Sequence, residues 1–164
     1  MKARMPNPAM TVPGAMQVML ALSACAEKSG VPKRLVELIS LRASQINGCG
    51  FCVDMHAYDL KADGETDLRI AAVAAWRDAP YFTDAERAAL ALTEAATRLS
   101  DRPDPVPDGI WEEAARHYDQ ATLSGLVIAI AMINAWNRIN VTIRQVAGAM
   151  RTEKKLDAVG AGLA

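Results

Sequence analysis

Residues 37–56 read Glu37-Leu-Ile-Ser-Leu-Arg-Ala-Ser-Gln-Ile-Asn-Gly-Cys49-Gly-Phe-Cys52-Val-Asp-Met-His56. Leu35, Val36, Ile39 and Leu41 lie on one apolar face that continues to about Ile46, and Pro32 suits the first turn of a helix. Asn47-Gly48 interrupts that helix. A second helix is expected from about Cys49 to near Asp63-Gly64. In this register Cys49 and Cys52 are i,i+3 and Cys52 and His56 are i,i+4, so all three share one face. An i,i+3 pair places its Cα atoms about 5 Å apart, within the span of a disulfide.

Outward from this stretch the chain reads as helices throughout. Residues 1 to about 14 hold Pro6, Pro8 and Pro13 and predict an extended arm. A helix is expected from about Ala15 to Lys28, closed by Ser29-Gly30 with Gly30 as a left-handed cap. Thr66 to Arg77 predicts another, broken by Pro80. Thr83-Asp84-Ala85-Glu86 has capping-box spacing and opens a helix to about Leu99. Pro103, Pro105 and Pro107 stiffen a connector, and Ile110 to Tyr118 forms a short helix. A last helix from about Ala121 to Met150 is apolar nearly all round in its first half, so it is central or lies in a subunit interface. The tail, 151–164, reads as frayed. No segment alternates in the manner of a strand. The expected fold is all-α: a single compact helical domain over 15–150, with about six or seven helices and a long apolar C-terminal helix.

Composition narrows the function classes. The chain has 164 residues, 51% hydrophobic and 23% charged, which excludes wholesale disorder. Lys plus Arg total 18 and Asp plus Glu 19, so the net charge of -1 carries no footprint for nucleic acid or an anionic membrane. The longest apolar run, Gly125 to Ile133, is too short to span a bilayer. Leu22-Ser23-Ala24-Cys25 fits the short pattern of a lipoprotein cleavage site. The prolines of the leader and Gln17 interrupt the apolar core that export requires, and the chain reads as cytoplasmic.

The three cysteines, Cys25, Cys49 and Cys52, make no disulfide framework. The close pair points to redox chemistry or metal binding. An ordinary thiol is only about 3% thiolate at pH 7, and lowering its pKa by two units makes it roughly three-quarters thiolate. The first turn of a helix favours an anion there. His56 supplies a base that stabilises the thiolate once protonated, and Glu37 is a candidate to orient the imidazole. A Cys52 thiolate could attack the O–O bond of a hydroperoxide and become a sulfenic acid, which Cys49 would convert to a disulfide. A dithiol partner would reduce that disulfide by exchange, with no metal or other cofactor.

Other readings of the same residues are two small buried cysteines, a redox-sensing or disulfide-exchange module, and a zinc-stapled domain with Cys49, Cys52 and His56 as ligands and Glu37 or water as the fourth. Cys25 is expected to pack as a small apolar residue and His117 to lie on the surface. Asn134, Trp136, Asn137, Arg138 and Asn140, on an otherwise apolar helix, are expected to join a hydrogen-bond network between helices or subunits.

The pattern Glu, eleven residues, Cys-x-x-Cys-x-x-x-His, filled by Glu37, Cys49, Cys52 and His56, resembles the alkylhydroperoxidase D-like branch of the carboxymuconolactone decarboxylase family. Residues 41–48, 53–56 and 133–139 are similar to that branch as well. The resemblance implies an all-α homo-oligomer, a trimer or hexamer. It implies Cys52 as the peroxide-reacting thiol, Cys49 as the resolving one, Glu37 and His56 as a proton relay, and a thioredoxin-like or lipoyl dithiol as reductant. It departs at Phe51, where the branch carries a second histidine, so the relay would run from Glu37 to His56 directly or through water.

Overall fold

The computed structural model describes residues 1–101 and 103–148. Among them are eight α-helices and one 3₁₀ turn: α1 Pro8–Thr11, α2 Ala15–Lys28, α3 Lys33–Asn47, α4 Gly50–Ala62, α5 Asp67–Ala72, the 3₁₀ turn Val73–Ala75, α6 Asp84–Thr97, α7 Asp108–His117 and α8 Gln120–Ile143. The all-α expectation holds, with one or two more helices than the sequence suggested. The expected tail lies outside the described residues.

α3 is the hub. It packs against α4, α6 and α8, and α8 also covers α2. Leu38, Ile39 and Leu41 of α3 meet Leu60, Leu90, Leu92, Leu126 and Ile130 in the main core. α8 is long and apolar enough to cross a membrane by length and composition, a feature the run from Gly125 to Ile133 understated. Its buried Asn134, Asn137 and Asn140 turn inward onto the other helices, which marks it as the core helix of this bundle. Gly125 is where α8 meets the end of α2. A Cβ there would stand 1.7 Å from Ser29 Oγ and 2.8 Å from Val31 Cγ2, so only glycine permits this approach.

Several boundaries differ from the sequence reading for identifiable reasons. The stretch 66–77 is not one continuous helix: after Ala72 it tightens into the 3₁₀ turn, which brings Val73 and Trp76, both buried, onto the same side. α8 ends at Ile143 rather than near residue 150, because Arg144 adopts φ 55° and its N–H, with that of Gln145, returns to the carbonyls of Val141 and Asn140. The N-terminal arm is not wholly extended. Asn7 caps the short α1 with Pro8 in its first turn. The arm then docks on the end of α8, where Arg4 donates from its backbone to Ile143 O and from its guanidinium to Thr142 O. Cys25 is exposed rather than packed, since α2 presents Ala26 to the interior and Cys25 to its outer side. The capping box at Thr83 and Glu86 forms as expected.

Candidate active site

The site grows from the turn between α3 and α4. Gly48 ends α3 in the left-handed conformation with φ 67°, and Cys49 N–H donates to Ser44 O at 3.0 Å. Cys49 thereby becomes the cap of α4, and its sulfur accepts the Cys52 N–H at 3.3 Å. The sequence reading had α4 begin on Cys49. The one-residue difference places Cys49 at the open N-terminus and Cys52 in the first turn. The two sulfurs are joined as a disulfide with Cα atoms 5.3 Å apart, close to the spacing expected for i,i+3. Both cysteines are buried in a small cluster with Ala43 and Ile133, flanked by Phe51 and Trp136.

α3 and α4 form a helical hairpin, and this topology brings Glu37 to His56 across nineteen residues of chain. Glu37 Oε2 lies 2.6 Å from His56 Nδ1. A carboxylate only accepts, so Nδ1 carries a proton, and in the neutral imidazole Nε2 holds the lone pair. Nε2 is buried with no hydrogen-bond partner among the described residues. His56 stands one turn beyond Cys52 on the same face of α4. The direct Glu37–His56 contact is one of the two routes the sequence left open. Phe51 is partly buried against the cysteines and carries no proton.

A buried amide network fixes this hairpin against α8. Asn47 Nδ2 donates to Asn134 Oδ1 and to Asn137 Oδ1, each at 2.9 Å. Asn137 donates on to Ser44 Oγ at 3.0 Å, and Asn134 to Thr97 Oγ1 at 3.1 Å. Arg138 donates to the Asn134 carbonyl at 3.2 Å. The bonds of Asn134 and Asn137 are the inter-helix bonds expected of polar groups on α8, whereas Arg138 bonds within α8 and Trp136 packs against the cysteine cluster. Asn140 goes further: its Nδ2 donates to Cys52 Sγ at 3.4 Å. Its sequence signal was a polar side chain on an apolar helix, which showed that it needed a partner without naming one.

α3 is also anchored by charge. Arg42 Nε donates to Glu94 Oε1 at 2.7 Å, joined there by Trp76 Nε1 at 2.8 Å, while Arg77 donates to Glu94 Oε2 at 2.6 Å. Burial opposes ionisation of Glu94. The hydrogen bonds from Trp76, Arg77 and Arg42, with the nearby positive charge, outweigh it and hold the carboxyl below its ordinary range. His117 is exposed and paired with Glu113, away from the cysteines. No group of three or more His, Cys, Asp or Glu among the described residues could hold a metal ion.

The sequence profile of the carboxymuconolactone decarboxylase family matches residues 13–95. Over 131 residues the chain is 37% identical to the uncharacterized protein YdfG of Bacillus subtilis, spanning 80% of this chain and 88% of YdfG. A solved Agrobacterium tumefaciens protein of unknown function, ATU0492, provisionally described as the antioxidant defence protein AhpD, is 36% identical with a TM-score of 0.83. That match covers 90% of this chain and 99% of ATU0492. The debrominase Bmp8 shares the fold at 22% identity and a TM-score of 0.71, over 84% of this chain and 73% of Bmp8. The cysteine pair on a helical hairpin, the profile match and the likeness to ATU0492 agree: this chain belongs to the carboxymuconolactone decarboxylase family, in its alkylhydroperoxidase D-like branch.

Proposed function

We propose that the chain is a thiol-dependent peroxidase that reduces hydroperoxides at Cys52. The observation that carries this reading is the union, on one hairpin, of the Cys49–Cys52 pair with a hydrogen-bonded Glu37–His56 pair one turn away. In the reduced protein, His56 Nε2 takes the Cys52 proton and Glu37 holds the resulting imidazolium. The thiolate attacks one peroxide oxygen and the O–O bond breaks. Cys52 becomes a sulfenic acid, and the departing alkoxide recovers a proton from His56 as an alcohol, or as water when the oxidant is hydrogen peroxide. The Cys49 thiol then displaces hydroxide from the sulfenic sulfur, forming the disulfide and water. A thioredoxin-like or lipoyl dithiol returns the pair to thiols through a mixed disulfide.

The setting is cytoplasmic and the assembly a homo-oligomer, a trimer or hexamer. The exposed apolar Val18, Leu20 and Leu22 of α2 and Val127 and Val141 of α8 support a self-associating surface. The test is peroxide turnover with a dithiol reductant. Cys52→Ser abolishes turnover, and Cys49→Ser leaves a sulfenic acid at Cys52 that a dimedone probe traps. Turnover that survives Cys52→Ser refutes the assignment.

Phe51 between the cysteines favours a second reading, in which the pair exchanges disulfides or senses redox state without reacting directly with peroxide. That reading predicts rapid reduction of the pair by a dithiol together with a negligible rate against hydroperoxides.

A further inference from the structure

We infer that Asn140 is a catalytic residue whose side-chain amide donates to the Cys52 sulfur and favours its thiolate, and that Asn7 of the N-terminal arm is the positioning residue that aims that amide. The inference rests on the reading of Cys52 as the attacking thiol.

The geometry sets the direction of every bond in the chain of contacts. The backbone N–H of Ala9, which can only donate, bonds Asn7 Oδ1 at 3.0 Å as the cap of α1. That commits the oxygen of Asn7 and turns its Nδ2 outward, where it donates to Asn140 Oδ1 at 3.0 Å. With its oxygen taken, Asn140 has only Nδ2 to offer, and Nδ2 faces Cys52 Sγ at 3.4 Å. An amide is otherwise free to present either end, and the oxygen end would repel an anion. The arm thus selects the donor end from 133 residues away in sequence, and its docking on the last turn of α8 through Arg4 holds Asn7 in place.

The donor has most effect on the ionised sulfur. A disulfide or thiol sulfur accepts weakly, whereas a thiolate accepts as a charged partner, so the bond strengthens when Cys52 loses its proton. Asn140 is buried at 4% exposure, so water does not replace it readily. The titratable groups nearest Cys52 along its own element are Cys49, the cap of α4, and His56, one turn on along the same face; His56 in turn bonds Glu37 on α3. α8 brings the uncharged Asn140 to it; the arm brings Asn7 to Asn140 and the charged Arg4 to Thr142 O at the end of α8. The arm, a proline-rich stretch in sequence, becomes part of the site.

The test isolates Cys52 in the otherwise full-length Cys25→Ser/Cys49→Ser protein and follows iodoacetamide alkylation from about pH 5 to pH 10. Asn140→Leu keeps the branched shape and removes the donor. It should raise the midpoint by about one pH unit, which means about tenfold less thiolate well below the midpoint. Asn7→Ser keeps a capping oxygen for α1 but is too short to reach Asn140, and it should raise the midpoint by a smaller amount. An unchanged midpoint in a folded Asn140→Leu protein overturns the inference. If that variant does not fold, Asn7→Ser decides alone, and an unchanged midpoint there overturns it. Alkylation uses no peroxide, so the two readings fail separately. A raised midpoint beside a peroxide-inert parent sinks the peroxidase reading and keeps the thiolate-favouring bond from Asn140, which would then serve disulfide exchange. A peroxide-active parent whose midpoint ignores both variants does the reverse.

Discussion

Replacing Glu37 by glutamine removes the carboxylate charge of the relay. The Glu37 and His56 side chains are 16% and 10% exposed and 2.6 Å apart, so the carboxylate acts on the imidazole through little water. A unit charge about 4 Å from an imidazolium in surroundings of effective dielectric near 20 contributes about 4 kcal/mol. With the imidazolium proton about half returned to the departing oxygen as the O–O bond breaks, about half of that, ~2 kcal/mol, falls on the transition state. That corresponds to roughly a 30-fold loss of rate. In the Glu37→Gln protein the new amide nitrogen can also donate to Nδ1, which moves the imidazole proton to Nε2 and blocks it as a base. The assay mixes reduced protein with a hydroperoxide, quenches with an alkylating agent and counts unreacted thiols by mass. Glu37→Gln should slow Cys52 oxidation by roughly 30-fold while the melting temperature stays within a few degrees of the parent. A folded variant that keeps essentially the parent rate refutes the relay.

Other consequences concern the frame that holds the site. Glu94→Gln leaves the mostly buried Arg42 without its carboxylate and should cost about 3 kcal/mol, or about 6–12 °C in Tm, read by calorimetry at pH 7. Because Glu94 is held below its ordinary range when folded, its contribution is complete above the unfolded carboxyl range and is lost as the pH falls through the folded value. The parent should therefore lose stability steeply in acid, and Glu94→Gln should show a flatter profile there. Gly125→Ala drives a methyl into Ser29 and Val31 and should cost about 2 kcal/mol by urea denaturation, with part recovered when Ser29→Gly is added. Treatment with a chelator should leave Tm unchanged, whereas stoichiometric zinc lost together with stability would favour a zinc-stapled site.

The helices and the site pair were legible from local rules. Apolar spacing, Gly48 as a stop and the i,i+3 and i,i+4 offsets of Cys49, Cys52 and His56 need nothing beyond the neighbouring turns. Glu37 is different. Its role came from a family pattern, because a carboxylate nineteen residues away becomes a neighbour only when α3 and α4 fold back on one another. The break after Ala72 was hidden for a related reason: the burial of Trp76 and its bond to Glu94 are tertiary and override a continuous helical pattern. Asn140 announced itself only as a misfit on an apolar face. Asn7 gave no signal, since prolines on either side argued for a loose arm and its partner lies at the opposite end of the chain. What the sequence hid was long-range pairing of polar groups, which local periodicity does not encode.

The most direct measurement of the central claim is intact mass over seconds after reduced protein meets one equivalent of an organic hydroperoxide, with Cys52→Ser alongside. Conversion of a dithiol to a disulfide removes two hydrogens. The account predicts a rapid loss of about two mass units in the parent alone, with the new bond mapped to Cys49 and Cys52. Thiols that stay unchanged over minutes, or an equal mass change in Cys52→Ser, would contradict it.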